Sequence, residues 1–469
     1  MLIASLCVLS LTQALPDDAV IAFVMVDRFA DGAANLGDVV PGAPRRFQGG
    51  DLAGLRARLG YLHELGFSHV WITPLHLQVQ GLVGTGAEAT AAYHGYWPAQ
   101  LDAVDPHFGT VQDVQALVDD AGALGMGIVL DVVTNHLGYG AADLHQLTRH
   151  PCGDDERTRC LFGLPDFKTE DPAVAAFVVD KTLWWLQQAP FAGFRYDAFP
   201  HGEPSVFQSV QARARQKNPA FFGVAERWGA AAGDAVVDDD IATLRCDAAL
   251  DFGLKGLAAD FLSRRMKTRA FVHHLVNRDR LAAQRAPMVT FLDNHDVESW
   301  VHAVGPARAP LGAALLLSTR GIPALSWGTE VGREGGAGDP DNRTFMPWAR
   351  VQQQQQQPSS SLWWWSRLIH LRRALPALRN GALRVLASDV DGHGSQFVVF
   401  ERVDANDRVI VALALEAGLV SVLPLAAGEH LVDVISWHGA TADSMQEPGA
   451  ARLRLEVPAE GAVVVHLRF

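Results

Sequence analysis

The segment GFRYDAFPH, residues 193–201, contains charged side chains whose types and spacing suit nucleophilic chemistry. Its first residues predict a short strand that runs into a loop, and residues two apart on a strand face the same way. Arg195 and Asp197 would therefore project side by side. A permanent cation keeps a neighbouring carboxylate ionised and aimed, as a nucleophile requires. Taken alone, the pair is equally consistent with a structural ion pair at a strand end.

Acidic residues also end other apolar runs of the chain. The first three-quarters of the sequence alternates short β-branched runs with amphipathic stretches, which predicts an α/β fold of the (β/α)8 barrel type. The predicted strands are 20–25, 68–73, 127–132, 193–197, 221–226, 247–252, 288–293 and 321–326. The strand-end carboxylates are Asp131, Asp197, Glu226 and Asp296. Because barrel enzymes place their chemistry at the carboxyl ends of the strands, these residues indicate an active site at the barrel mouth.

Changes of pattern divide the chain into predicted units. The connection after the third strand is too long and polar for an ordinary barrel loop, which predicts a small inserted domain. Near the C-terminus, strands alternate without helices, which predicts an antiparallel β-sandwich domain. VQQQQQQPSSS (351–361) predicts a mobile, solvent-exposed loop. The predicted units are a signal segment (1–14), the barrel (15–136 and 168–380), the inserted domain (137–167) and the C-terminal domain (381–469).

The N-terminus carries a short apolar run from Leu2 to Leu11, which is too short for a membrane-spanning helix. It is typical of the hydrophobic part of a secretory signal, although no Lys or Arg precedes it, and a frayed extension is the alternative. Export to an oxidising compartment would allow Cys152 and Cys160 to staple the polar loop between them. Cys246 lies in an apolar context and is predicted to be a buried thiol.

Composition excludes some classes of partner. The chain has 469 residues, of which 49% are apolar and 19% charged, so a large core is available. The net charge of −13, without a basic cluster, argues against nucleic acid or an anionic membrane surface as a partner. A soluble protein acting on a neutral ligand is the expectation.

Nine segments of the chain resemble, in order, the motifs of the α-amylase family, glycoside hydrolase family 13. The resemblance runs from about residue 20 to the C-terminus. The segments are DRFADG (27–32), GFSHVWITP (66–74), YHGYW (93–97), DVVTNH (131–136), LPDF (164–167), GFRYDAFPH (193–201), VAERW (224–228), FLDNHD (291–296) and GIPALSWGTE (321–330). Each segment is weak evidence, whereas the ordered set is highly specific.

The resemblance implies roles for three carboxylates. Asp197 is similar to the catalytic nucleophile, Glu226 to the general acid/base, and Asp296 to the third carboxylate that stabilises the transition state. The expected outcome is retention of anomeric configuration, with the two reacting carboxyls about 5–5.5 Å apart. Arg195 is expected to keep Asp197 ionised, while neighbouring negative charge keeps Glu226 protonated.

The resemblance also implies substrate-binding and metal-binding residues. The substrate-binding set comprises Tyr93, His94, Trp97, Arg195, His201 and His295, and Trp228 and Trp327 are further candidates for stacking on sugars. One calcium ion is expected, with oxygen ligands from Asn135 and Asp166 and from the backbone of His201. A second calcium loop is not expected, because Ala33 and Ala34 occupy positions that are often polar in relatives. The Trp363–Trp365 run is expected to pack in the core.

The predicted function is endo-hydrolysis of α-1,4-glucosidic bonds in starch, glycogen or maltooligosaccharides by a secreted enzyme. A monomer is expected, because the predicted barrel starts near residue 20 without the N-terminal β-domain of dimeric relatives. The alternative is a neopullulanase-like or cyclomaltodextrinase-like hydrolase or a transglycosylase, suggested by Pro200 and by GDPDNRTFMPW (338–348). A non-catalytic carbohydrate-binding protein is the remote alternative, against which the complete carboxylate set argues.

Overall fold

A computed structural model describes residues 15–34, 36–141, 143–389, 396–416, 418–447 and 450–469. The predicted signal segment, residues 1–14, lies outside these ranges. Within them, no helix combines the length and the apolar character needed to cross a membrane.

Eight parallel strands close into a barrel, which confirms the predicted fold class. Their residues are almost all buried, as expected where helices cover the outside of a parallel barrel. Each predicted run forms one strand. The first strand, Ile21–Val24, closes the ring by pairing with both the second, His69–Ile72, and the last, Ile322–Ser326. With a small hairpin, β3 and β4, the strands in chain order are β1 (Ile21–Val24), β2 (His69–Ile72), β3 (His76–Gln78), β4 (Pro98–Val104), β5 (Gly127–Val132), β6 (Gly193–Tyr196), β7 (Phe222–Ala225), β8 (Ala248–Asp251), β9 (Met288–Thr290) and β10 (Ile322–Ser326).

Helices follow the barrel strands, and several of them begin at recognisable capping residues. Thr110 and Asp113 form a reciprocal capping box at the start of α3, and Asp171 caps α4 just before Pro172. Two short helices, Leu52–Ala57 and Leu59–Glu64, meet at Arg58. The helices are α1 (Leu52–Ala57), α2 (Leu59–Glu64), α3 (Val111–Ala123), α4 (Pro172–Gln188), α5 (Pro204–Lys217), α6 (Ala235–Leu244), α7 (Phe252–Leu262), α8 (Thr268–Ala282), α9 (Trp300–Val304), α10 (Leu311–Ser318), α11 (Trp348–Gln355), α12 (Ser361–Ala374) and α13 (Pro376–Asn380).

The long connection between β5 and α4 stands on the barrel as an irregular insertion. Two β-bridges tie its ends together, one between His136 and Asp166 and one between Thr148 and Phe167. Cys152 and Cys160 form a disulfide across the polar loop, a pairing that the sequence allowed in an oxidising compartment. The insertion is therefore anchored at its base and stapled near its tip.

The C-terminal part of the chain forms two antiparallel sheets that pack face to face. One cluster of buried residues fills the space between them, and a second, larger core joins the five-stranded sheet to the barrel. The larger sheet has the order β11-β12-β13-β18-β15 and the smaller one β14-β17-β16. The strands are β11 (Ala382–Ser388), β12 (Phe397–Val403), β13 (Asp407–Ala414), β14 (Leu419–Pro424), β15 (His430–Trp437), β16 (Thr441–Glu447), β17 (Ala450–Val457) and β18 (Gly461–Arg468).

The prediction of a mobile loop at residues 351–361 is wrong. Most of the glutamine run continues α11, and only a short turn separates it from α12. Gln354 explains the order, since its amide donates to the Val331 carbonyl at 3.1 Å and accepts from the Leu362 amide at 2.9 Å. Within this low-complexity run, Gln354 therefore has a specific structural role, because it links α11 to α12.

Candidate active site

The carboxyl ends of four barrel strands converge on one cavity of about 760 Å³. Asp131 lies within β5, Asp197 directly follows β6, Glu226 directly follows β7, and Asp296 lies in the loop after β9. Asp197, Glu226 and Asp296 line the cavity, whereas Asp131 lies beneath it. Because parallel strands present their carboxyl ends at the same face of the barrel, residues far apart in sequence share one site.

Arg195 is the centre of the charged cluster. Its Nη1 lies 2.9 Å from both carboxylate oxygens of Asp131 and 2.9 Å from Oδ1 of Asp197, and its Nη2 forms an ion pair with Glu226. Tyr96 and Trp71 hold Asp131 from the other side, by hydrogen bonds of 2.7 and 3.2 Å to its Oδ2. One buried guanidinium therefore fixes three carboxylates, as its planar fork permits.

A left-handed turn directly follows Asp197. Ala198 has φ of 48°, a conformation that non-glycine residues seldom adopt. The Ala198 amide donates to Oε2 of Glu226 at 3.1 Å. Strain of this kind persists where surrounding contacts enforce it, and here the backbone that follows Asp197 is held against the Glu226 carboxylate.

Burial dominates the electrostatics of the site. It raises the pKa of Asp197 to about 7 against the opposing effect of Arg195, and it raises the pKa of Glu226 to about 6, also against Arg195. Burial likewise raises the pKa of Asp131 to about 7. The sequence predicted that Arg195 would keep Asp197 ionised. The structure differs, because burial outweighs the effect of Arg195, and this one cation is shared among several buried carboxylates that repel each other.

Two histidines lie beside these carboxylates. Burial lowers the pKa of both His94 and His295 well below the ordinary value, so both rings are neutral. His94 accepts from the Tyr96 amide through Nδ1 at 3.0 Å, which leaves its Nε2 as the proton donor. His295 stacks on Tyr96 with 4.9 Å between ring centroids, and its Nε2 lies 3.2 Å from Asp296 Oδ2. A neutral imidazole in such a position can donate to a sugar hydroxyl.

The remaining predicted substrate-binding residues do not all reach the cavity. Trp97 and His201 line it, with His201 Nδ1 2.5 Å from the Glu156 carbonyl oxygen. Tyr93 is fully buried and donates through its hydroxyl to Asp339 at 2.7 Å, so it supports the site from behind. Arg195 is also buried and touches carboxylates, which means that it acts through them.

Two exposed aromatic rings line the cavity. Phe162, in the inserted segment, is 89% exposed, and Trp228, which follows the Glu226 strand end, is 66% exposed. Trp327, which the sequence offered as a stacking residue, is instead buried against Phe23 and does not line the cavity. Trp364 and Trp365 are fully buried, which confirms core packing for these two residues.

Asn135 and Asp166 lie together at the base of the insertion. Both are buried, and Asp166 Oδ1 has no well-aligned hydrogen-bond partner, so this carboxylate oxygen, with the side-chain oxygen of Asn135, fits a hard cation that takes oxygen ligands. Arg149 donates to the other oxygen, Asp166 Oδ2, at 3.0 Å. The described ranges contain no cluster of three or more His, Cys, Asp or Glu able to hold a metal. Further calcium ligands there would have to be backbone carbonyls or water.

Sequence reasoning left several residues of the site without a role. Asp131 was noted only as a strand-end carboxylate, and Tyr96 only as part of YHGYW. Asp339 and Arg343 lie in GDPDNRTFMPW, which was related to substrate preference, while Phe162 had no signal beyond its place two residues after Cys160. Each of the other four residues could have been found as a polar side chain within a motif or strand end that the sequence analysis had already singled out.

The chain is similar to known proteins over the barrel and beyond it. A family model described as "Alpha amylase, catalytic domain" matches residues 23–159. A cyclomaltodextrin glucanotransferase of Klebsiella oxytoca is 28% identical, over 87% of this chain and 72% of that protein. The chain spans 33 to 72% of the length of the first curated relatives that it matches. Other relatives are named α-amylase and neopullulanase.

Solved structures match almost the whole chain. An Anoxybacillus α-amylase superposes with a TM-score of 0.81 at 27% identity, covering 96% of this chain and 98% of that one. A Geobacillus thermoleovorans α-amylase, determined in complex with acarbose, has a TM-score of 0.77 at 26% identity and covers 97% and 99%. The similarity therefore includes the barrel, the insertion and the C-terminal sheets.

Proposed function

Because the chain belongs to the α-amylase family, we propose that it hydrolyses internal α-1,4-glucosidic bonds of starch, glycogen or maltooligosaccharides with retention of configuration. The observation that carries this proposal is the sharing of one guanidinium by Asp197 and Glu226. Carboxylates held by two nitrogens of the same group lie close together, which suits a covalent mechanism better than one that needs room for water between them.

In the proposed reaction Asp197 attacks the anomeric carbon while Glu226 protonates the departing glycosidic oxygen. The bond to the leaving sugar breaks, and a bond from Asp197 to the anomeric carbon forms. Glu226, now ionised, then removes a proton from water, and the resulting oxygen displaces Asp197. Asp296 stabilises the positive charge that develops on the sugar ring, and neutral His94 and His295 donate to sugar hydroxyls.

Burial raises the pKa of both carboxyls, that of Asp197 to about 7 and that of Glu226 to about 6, so the pair retains a proton near neutral pH. The acid step needs that proton on Glu226. Asp197 and Glu226 share Arg195, so the two titrate as a pair and one proton between them is the reactive state. Arg195 and the Ala198 amide keep the two carboxyls aligned without contacting the substrate.

Two further features belong to the proposal. We infer secretion, in line with the apolar run from Leu2 to Leu11 and with the Cys152–Cys160 disulfide. One calcium ion would be held by Asn135, Asp166 and the backbone of His201, and when bound it would tie the insertion to the barrel. No catalytic step is assigned to it.

The test is to incubate the purified chain with starch and follow both reducing sugar and product anomer by NMR. The proposal expects α-anomeric products at first and large oligosaccharides early in the reaction, since internal cleavage releases long fragments. Initial β-anomers would contradict the retaining mechanism, and absence of reducing sugar would contradict hydrolysis.

Transglycosylation or cyclodextrin hydrolysis is the second candidate, favoured by Phe162 and Trp228. These exposed rings flank the cavity near Glu226 and offer apolar faces to a sugar. A sugar bound there competes with water for the covalent intermediate. Chromatographic profiles on starch, β-cyclodextrin, pullulan and maltotriose separate the candidates: products longer than maltotriose, or preference for cyclodextrin or pullulan, would promote this second function.

A further inference from the structure

The segment GDPDNRTFMPW (338–348) passes behind Asp296 and contributes a buried cation there. Arg343 donates through Nε to the His295 carbonyl at 2.8 Å, and its Nη2 lies 3.4 Å from Asp296 Oδ1. Its Nη1 lies 3.1 Å from Asp339 Oδ1. One side chain therefore holds both the carboxylate of Asp296 and the backbone directly before it.

The guanidinium is itself held from the far side. Tyr93 donates to Asp339 at 2.7 Å, and the Arg28 guanidinium lies 3.8 Å from the centre of the Tyr93 ring. The residue just before Arg343, Asn342, donates to the carbonyls of His295 and Val297, each at 2.9 Å, without reaching the Asp296 carboxylate. Backbone support thus comes from Asn342 and Arg343 together, whereas the cation beside the carboxylate comes from Arg343.

We propose that Arg343 is a positioning residue, which aims the carboxylate of Asp296 at the reacting sugar and offsets its charge within the site. The inference rests on the proposed function of Asp296. Its basis is the fork geometry, because a planar guanidinium can bind a carbonyl and two carboxylates at once. The polar and charged groups that face Arg343 from the packed elements are Tyr93, His94, His295, Asp296 and Asp339, with Arg28 beyond Tyr93.

Loss of the cation has a consequence for the other two carboxylates. The negative charge of Asp296 raises the pKa of Asp197 and of Glu226, after the larger effect of burial. Without Arg343 the three carboxylates lose a counter-charge, so the pKa of Asp197 rises further. The acidic limb of the pH–rate profile, which reports ionisation of the nucleophile, then moves to higher pH.

Three variants separate charge, fork and backbone support. Arg343→Gln removes the charge, Arg343→Lys keeps the charge but removes the fork, and Asn342→Ala removes backbone bonds only. On maltoheptaose, Arg343→Gln is expected to lower kcat by about 10- to 100-fold, the effect of losing a hydrogen bond to a charged group, with little change in KM. The acidic limb of the pH–rate profile is expected to move to higher pH in Arg343→Gln. In Arg343→Lys it stays near the wild-type pH, and in Asn342→Ala it does not move.

Two outcomes would overturn the inference. A raised KM with unchanged kcat and an unmoved acidic limb in Arg343→Gln would make Arg343 a sugar contact. Equal losses in Arg343→Gln and Asn342→Ala, matched by lost thermal stability and a wild-type pH profile, would make it merely structural. Titration of ¹³C-labelled aspartates by NMR gives a reading without substrate. Inactive wild-type protein would end the proposed function, whereas an unmoved Asp197 titration in Arg343→Gln would end this inference alone.

Discussion

The molecule contains two buried clusters of charge with opposite sign. At the barrel mouth, Asp131, Asp197 and Glu226 surround one arginine, Arg195. Between the barrel and the C-terminal sheets the pattern is reversed. There Asp279 lies beside several arginines, of which Arg402 forms a fully buried ion pair with it and Arg320 lies at 3.5 Å.

The second cluster is balanced by backbone carbonyls. Burial lowers the pKa of Arg372 to about 9, and the nearby Arg402 adds to this effect. Arg372 nevertheless remains charged at neutral pH, because it donates to carbonyls that end a helix and the following turns, those of Leu317, Thr319, Gly321 and Leu378. Cations are favoured at helix C-termini, where carbonyls have no helical partner.

Burial of charge does not by itself identify a reactive site. Both clusters contain ionisable groups with shifted pKa values. The carboxylate cluster faces a cavity large enough for sugars and titrates near neutral pH. The arginine cluster lies between two packed layers, and the pKa of Arg372, which burial lowers to about 9, still leaves that side chain charged at neutral pH. A candidate reactive cluster is therefore recognised by its access to a cavity and by pKa values near the working pH, whereas a structural cluster lacks both.

Removing either reacting carboxylate should have the largest effect. Asp197→Asn or Glu226→Gln is expected to lower kcat on starch by at least about 10³-fold, because the proposed nucleophile or the proposed proton donor is lost. Asp239→Asn, at an exposed carboxylate, is the matched control and should retain activity. Near wild-type turnover by a purified Asp197→Asn protein would remove Asp197 from its proposed role.

Asp279→Asn should instead affect stability. The variant leaves Arg402 buried without its carboxylate, which is expected to lower the free energy of unfolding by about 3–5 kcal/mol. Denaturant unfolding measures this loss, and kcat of the folded protein should stay at the wild-type value. A lower kcat in fully folded Asp279→Asn protein would show that the two clusters are energetically coupled.

Activity should depend on pH near neutrality. Burial raises the pKa of Asp197 to about 7, so the reactive carboxylate gains its proton as the pH falls through this region. The kcat/KM profile is therefore expected to decline on the acid side well above the range of an ordinary aspartate. A flat kcat/KM profile down to pH 4 would show that Arg195 keeps Asp197 ionised in the free enzyme after all.

The same carboxylate should cost stability when ionised. Its pKa is raised in the folded protein, so the folded state binds more protons than the unfolded chain between about pH 4 and pH 7, and stability falls as the pH rises through that window. Asp197→Asn removes this cost. Its melting temperature should exceed that of the wild type at pH 8, and the difference should vanish at pH 4. An equal difference at both pH values would argue against the raised pKa.

Chelation should give the smallest effect. If calcium joins the insertion to the barrel through Asn135 and Asp166, EDTA is expected to lower the melting temperature modestly. Asp166→Asn should be insensitive to EDTA, since a ligand is already lost, and added calcium should restore the wild type alone. Indifference of the wild-type protein to EDTA would contradict the calcium site.

The local sequence pattern predicted that Arg195 and Asp197 lie side by side at the end of β6 and that carboxylates meet at neighbouring strand ends. Strand period and barrel topology depend on short-range chemistry, which the pattern records. The pattern did not predict the roles of Phe162 and Gln354. The exposure of Phe162 depends on how the disulfide loop stands on the barrel, and the role of Gln354 depends on two helices that meet only in the folded chain.

The sequence by itself determined the order of the barrel strands, the family motifs and the identity of the strand-end carboxylates, since alternation and motif order are properties of the chain. Tertiary structure decided which charges share a partner. Arg195 divides its two terminal nitrogens among Asp131, Asp197 and Glu226, and Arg343 reaches Asp296 from a segment about 47 residues further along. Electrostatic energy depends on distance and burial in space, neither of which sequence separation measures.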